Sequence, residues 1–197
     1  MKIEPITLEG DFVRLEPLCF EHLENRWKVG ADETLWRWTG NVITSFEEMK
    51  RYVETALDEQ RRGVSLPFVT IEKSGNKIIG STRFANIDRK NRRAEIGWTW
   101  INPKWQRTFI NTEAKFLMLR HAFETWNCIR VELKTDALNE QSRNAILRIG
   151  AKEEGIFRRH LITDTGRIRN TVYFSILDSE WQKVKENLQS KLSKKYF

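Results

Sequence analysis

Glu95 is the residue whose type and place first suggest chemistry. In the run Ala94-Glu95-Ile96-Gly97-Trp98-Thr99-Trp100, strand alternation puts Ala94, Ile96, Trp98 and Trp100 on one bulky apolar face. Glu95, Gly97 and Thr99 fall on the other. A carboxylate on the small, polar face of a central strand has room above it and is a candidate general base. It can equally face solvent or pair with an arginine such as Arg83. The next segment, Pro103-Lys104-Trp105-Gln106-Arg107-Thr108-Phe109-Ile110-Asn111, leads straight into a long helix. Unpaired backbone N–H groups, the positive end of the helix dipole and the basic pair Lys104 and Arg107 make that junction an anion site. Ser142 is the third candidate. Asn139 fits an N-cap, and Ser142, Ala145, Ile146 and Ile149 share one inward helical face. The Ser142 hydroxyl either bonds to nearby backbone or gives a proton to a ligand lying between two parallel strands.

The elements that must position these groups follow from periodicity and turn residues. Strands are expected at 11–18, 66–72, 77–87, 92–101, 128–135, 151–162 and 167–177. Helices are expected at 20–29, 46–62, 111–126, 140–149 and 179–194, with Ser45 as an N-cap and Glu48 completing its capping box. Turns fall at Lys73-Ser74-Gly75-Asn76, Asp88-Arg89-Lys90-Asn91 and Thr163-Asp164-Thr165-Gly166. Short turns demand antiparallel neighbours, whereas the strand–helix–strand unit from 92 to 135 is a crossover joining two parallel strands. The class is therefore α/β (α+β) with a mixed, mostly antiparallel sheet.

The chain's 197 residues fit one domain, being about 1.3 times the ~150-residue domain prior. Hydrophobic residues at 40% and charged residues at 31% exclude a membrane-spanning or low-complexity chain. No run has the length of a signal peptide or membrane span, so the expected setting is the cytoplasm. Cys19 and Cys128 are widely separated and read as buried free thiols. His22, His121 and His160 are isolated, so no metal is expected. The net charge of +7 favours an anionic partner: a phosphorylated cofactor, RNA or a membrane surface.

Several separated motifs together resemble the GNAT N-acetyltransferases, and among them the RimJ/RimL-like branch. They are Phe12-Val13-Arg14-Leu15-Glu16-Pro17, Ala94-Glu95-Ile96-Gly97-Trp98, Asn111-Thr112-Glu113-Ala114-Lys115, Asp136 to Ile146, and Gly150 to Gly155. The likeness extends to Tyr173-Phe174-Ser175-Ile176-Leu177 and covers nearly the whole chain. It implies a GNAT fold: a seven-stranded sheet flanked by helices, with two parallel strands splayed at its centre. It also implies acetyl-CoA as cosubstrate, with no metal. Trp100 and Ile101 would hold the acetyl-pantetheine arm by their backbone. Gln106, Arg107, Thr108, Phe109, Ile110 and Asn111 would carry the pyrophosphate on their amides, and Asn139 is a further cofactor contact. The family's loop reads Arg/Gln-x-x-Gly-x-Gly/Ala, and this chain departs from it with Phe109 and Asn111 at the glycine positions.

The same resemblance implies direct acyl transfer. An amine attacks the thioester, a backbone N–H of strand 92–101 meets the oxyanion, Glu95 takes the ammonium proton through a water, and Ser142 protonates the departing thiolate. Trp36, Trp38, Arg83 and His160, with Arg158 and Arg159 beside it, would shape the acceptor side. The acceptor is expected to be a protein N-terminus or a small amine; an α-amino group, with a pKa near ~7.7–8.0, needs less deprotonation than a lysine near ~10.4, which suits N-terminal acetylation. Two rivals stand beside this reading. One is an acyl-CoA-binding protein without turnover, motivated by Phe109. The other is an RNA- or ribosome-associated module, motivated by the charge but lacking an RNP-type aromatic signature. The expected state is a monomer or homodimer.

Overall fold

The computed structural model describes residues 1–193. Its strands are β1 (Leu8–Glu9), β2 (Val13–Pro17), β3 (Leu66–Glu72), β4 (Lys77–Asp88), β5 (Arg93–Ile101), β6 (Arg130–Asp136), β7 (Lys152–Ile162) and β8 (Ile168–Leu177). They form one sheet in the order β1-β2-β3-β4-β5-β6-β8-β7. Among the described residues only β5 and β6 pair in parallel. Eight strands replace the expected seven, because β1 folds back on β2 as a two-residue pair too short to show alternation. The helices are α1 (Leu23–Gly30), α2 (Phe46–Arg61), α3 (Ile110–Arg120), α4 (Glu140–Arg148) and α5 (Asp178–Ser193). Residue 194, the expected end of the last helix, lies outside the described residues. Among the described residues no helix is long and apolar enough to cross a membrane.

The Ser45–Glu48 capping box forms as the sequence predicts. Ser45 Oγ accepts from the Glu48 amide, and Glu48 Oε2 accepts from the Ser45 amide. That start aims the inner face of α2, with Met49, Tyr52, Val53 and Ala56, at the sheet. On this side α2 covers Val69 and Ile71 of β3, and Trp36, Ile43, Met49, Tyr52 and Trp100 make an aromatic cluster. The larger core lies on the other side, where Leu117, Leu119 and Trp181 of α3 and α5 meet Phe68, Phe84, Ile96 and Phe174. Of the two cysteines, Cys128 is buried and burial pushes its thiol up to about 11. Cys19 is only half-buried, and the short turn Phe20–His22 returns His22 Nδ1 to 3.2 Å from its sulfur.

The central strand departs from simple alternation. Ser81 pairs with Trp100 and Arg83 with Gly97, so Thr82 alone faces both Trp98 and Thr99. This is a β-bulge, and Trp98 takes a φ of +47° within it, an unfavourable conformation for so bulky a residue. One extra residue exchanges the faces of everything beyond it. Ala94 and Ile96 pack in the α3-side core, whereas Trp100 packs in the aromatic cluster on the opposite side. Trp98 is 37% exposed. The single apolar face expected for Ala94, Ile96, Trp98 and Trp100 is therefore split.

Two buried groups of α3 hold this arrangement. The Glu113 carboxylate accepts the backbone N–H groups of Asp11, Phe12 and Val13 at 2.7–2.9 Å, fixing the entry to β2. Gly10 is required there, since a Cβ would stand 2.5 Å from Glu113 Cδ. Lys115 Nζ donates to Thr99 Oγ1 at 2.6 Å and to Thr82 Oγ1 at 3.1 Å, so it clamps both strands at the bulge. Burial pushes its pKa down to about 7.

Two outcomes follow. Glu113→Gln leaves the three amides with a poorer acceptor and lowers unfolding stability by about 2 kcal/mol in urea titration; an unchanged midpoint would mean that β2 holds its place without the carboxylate. For Lys115, between pH 7 and its unfolded pKa near ~10.4 the unfolded chain carries a proton that the native chain lacks, so stability rises with pH through that window. The burial penalty is then largest at and below pH 7. Lys115→Met should melt above the wild type at pH 7, with the gap closing toward pH 10. A gap constant with pH would show that Lys115 does not titrate there.

Candidate active site

β5 and β6 are hydrogen-bonded only from Arg93↔Arg130 to Glu95↔Glu132. Past that point β5 continues on β4 and β6 continues on β8. From residue 96 onward, the edge of β5 that faced β6 has no strand partner, and the sheet opens. The segment 102–109 and the start of α3 form one lip of the opening; Asp136, Asn139 and the start of α4 form the other. Gln106 bridges them, donating from Nε2 to the Ile101 carbonyl at 2.9 Å and accepting at Oε1 from Gln141 at 3.1 Å.

Glu95 lies at the inner end of this opening and is 5% exposed. It faces neither solvent nor Arg83. Lys134 Nζ stands 2.6 Å from its Oε2, and Asn86 Nδ2 donates to the same oxygen at 2.7 Å. Oε1 accepts no hydrogen bond from the described residues, and Gly97 adjoins it so closely that a Cβ there would sit 3.2 Å away. Burial works against the charge of Lys134, but its hydrogen bond and attraction to Glu95, with help from Tyr173, outweigh this and raise its pKa. Within this ion pair one carboxylate oxygen is held and the other is available. Lys134 and Asn86 carry no local sequence signal, because the pairing depends on which strands become neighbours. Asn86 sits at a φ of +48° within a register irregularity of β4.

The loop into α3 meets the glycine question directly. Phe109 has a φ of −70°, so its position requires no glycine conformation. Its ring packs edge-on against Phe12 at 4.6 Å, toward the core. The left-handed residue is Arg107, at +60°. Thr108 Oγ1 donates to the Trp105 carbonyl and accepts from the Ile110 amide, closing the turn before the helix. Asn111 Oδ1 is buried and has no hydrogen-bond partner. Across the opening, Asn139 caps α4 by accepting the Ser142 amide at 3.0 Å. The Ser142 hydroxyl bonds to no described residue, so the local backbone bond considered for it does not form. Asp136, 1% exposed, is held by Arg167 at 2.5 Å and by the Leu138 amide.

The residues expected around the acceptor are dispersed. Trp36 is buried in the aromatic cluster, with its Nε1 donating to the Gly30 carbonyl at 2.8 Å; its edge lines a hollow of about 200 Å³ shared with Arg37, Thr163 and Arg167. Trp38 is half-buried beneath the guanidinium groups of Arg37 and Arg167. Arg83 is 4% exposed, ion-paired to Glu59 of α2 at 2.9 Å and set against the rings of Tyr52 and Trp98. His160 lies on the edge strand β7, 3.4 Å from the Tyr173 hydroxyl. Phe157, Arg158, Arg159 and Asn170 line a shallow groove with it. Tyr173 links that groove to the site, since Lys134 Nζ lies 4.7 Å above its ring.

Comparison with known proteins places these features in a family. Residues 13–152 match the model of the acetyltransferase (GNAT) domain. YdaF of Bacillus subtilis (strain 168) is 36% identical over 105 residues, a match spanning 53% of this chain and 56% of that protein. The crystal structure of a GCN5-related N-acetyltransferase from Brucella melitensis superposes with a TM-score of 0.87 at 32% identity, covering 95% of this chain and 85% of that one. RimJ of Mycobacterium smegmatis, solved in complex with CoA-disulfide, has the same fold, with a TM-score of 0.77 at 24% identity over 91% of this chain and 88% of that one. The domain match covers well over half of the sequence, and the open pair of parallel strands stands within it: the chain belongs to the GNAT family of acetyltransferases.

Proposed function

We propose that this protein is an acetyl-CoA-dependent N-acetyltransferase that moves an acetyl group directly to a primary amine, either a protein N-terminus or a small molecule. In this reading the whole chain is one acetyltransferase domain, working in the cytoplasm as a monomer or homodimer. The observation that carries it is the Glu95 carboxylate, ion-paired with Lys134 through Oε2, with Oε1 open at the point where β5 leaves β6.

Each residue then has a task. Amides of Gln106 to Asn111, at the positive end of α3, hold the pyrophosphate. Phe109 does not demand a glycine conformation here, with a φ of −70°, and its ring turns toward Phe12. The unpaired β5 edge near Trp100 and Ile101 lies along the pantetheine arm, although the Ile101 carbonyl is already taken by Gln106. Bound acetyl-CoA supplies the thioester acetyl group. Glu95 draws the proton from the ammonium, through a water at Oε1, and so frees the nitrogen lone pair. A backbone N–H on the open edge of β5 meets the developing negative oxygen. The unbonded hydroxyl of Ser142 gives a proton to the leaving thiolate; with a thiol pKa near ~8.5 that step is helpful more than decisive. Asn139 fixes the turn that presents Ser142 and contacts the cosubstrate.

Glu95→Gln should lower turnover by roughly 10²-fold or more at pH 7 while leaving the Kd for CoA, measured by calorimetry, nearly unchanged. Equal turnover across a full pH profile would remove Glu95 as the base.

A further inference from the structure

Arg26 of α1 is 1% exposed, and its Nε and Nη2 donate to nothing. Its charge lies against two rings, 5.6 Å from the centroid of Tyr52 and 5.4 Å from that of Trp100. Such contacts attract a cation but leave its in-plane N–H groups unused. The Trp100 Nε1 donor in the same cluster is buried and unbonded as well. Arg83 approaches the same Tyr52 ring at 5.3 Å, and its charge is already met by Glu59. The neighbourhood therefore holds two guanidinium groups, one carboxylate and three orphan donors.

The contrast with Lys115 is informative. A buried amine escapes its desolvation by losing a proton. Burial lowers Arg26 only to about 10, so it remains charged at neutral pH and requires a counter-charge that this cluster does not contain. Water would satisfy the N–H groups without meeting the charge. A monoanion with two coplanar oxygens satisfies both and matches the guanidinium fork, whereas a phosphate dianion would overshoot the single excess charge.

Register places this cluster relative to the candidate base. Ser81, Arg83 and Ala85 of β4 stand opposite Trp100, Gly97 and Glu95 of β5, so Trp100, Arg83 and Glu95 share one face of the sheet. Trp98, 37% exposed and 5.0 Å from the Arg83 guanidinium carbon, forms its outer edge. We propose that Arg26, Trp100 and Arg83 form a carboxylate subsite on the acceptor side, so that the amine acetylated here also carries a carboxylate. This inference rests on the acetyl-transfer reading of Glu95.

Two acceptor pairs locate the carboxylate: serine against serinamide for an α-carboxylate, and a Ser-Glu against a Ser-Gln peptide amide for a side-chain one. In at least one pair the carboxylate member should show a kcat/KM higher by roughly tenfold or more. Arg26→Met should bring that ratio close to one, and Arg26→Lys, which keeps the charge without the fork, should retain part of it. Calorimetry with glutarate on the CoA-loaded protein reads the subsite without turnover: binding by the wild type, lost in the Arg26 variants. Glutarate binding of that kind with no acetylation of any amine would support the subsite and sink the acetyl-transfer reading. Acetylation with ratios near one and no glutarate binding would overturn the subsite alone, as would a carboxylate preference that survives both variants.

Discussion

The bulge at Trp98–Thr99 gives β5 one residue more than β4 can match, and that surplus decides where each later side chain on the strand points. Before it, Glu95 shares a face with Gly97, and Ile96 enters the α3-side core. After it, Thr99 turns toward α3 and Trp100 turns toward α1 and α2. A bulge also adds twist, and β5 has already lost β6 two residues before the bulge begins. The opening between the parallel strands and the aromatic cluster around Trp100 thus follow one another along β5, on either side of the bulge. Lys115 holds it from one side through two threonine hydroxyls.

Four buried or half-buried cations lie near this point, and they meet their burial in three ways. Lys134 keeps its charge because Glu95 stands 2.6 Å away. Arg83 is ion-paired with Glu59 of α2. Lys115 has no carboxylate, and its pKa falls to about 7. Arg26 has neither a carboxylate nor an accessible neutral form, which makes it the point of unmet charge on the acceptor face. The chain's +7 surplus thus has at least one defined location inside the fold, where a small acid fits better than a nucleic-acid backbone.

Local signals were read correctly where the physics is local. The capping box at Ser45, the Asn139 cap and the turns follow from residue types within a few positions, and the parallel crossover from the order of the elements. The face of Trp98 and Trp100 was misread because alternation assumes that no residue is inserted, and a bulge leaves no mark in a run of alternating apolar residues. Glu95 was found as a candidate, but its partners Lys134 and Asn86 were not, since their approach depends on which strands lie side by side. Phe109 looked like an obstacle because a family pattern places glycine there; the ring instead has a neighbour in Phe12, a contact between positions far apart in the sequence. Arg26 stood in an ordinary amphipathic helix, and only the packing of α1 against Trp100 and Tyr52 reveals it as an unpaired charge.

The claim on which these relations converge is that the opening between β5 and β6 is where the acyl carrier lies. Backbone amide chemical shifts, followed by NMR during titration of the intact protein with CoA, test it directly. The expected perturbations cluster in residues 98–111 and 139–142, the two lips of the opening. Amides there that stay unmoved at saturation, with shifts confined to the β7–β8 hairpin, would contradict it.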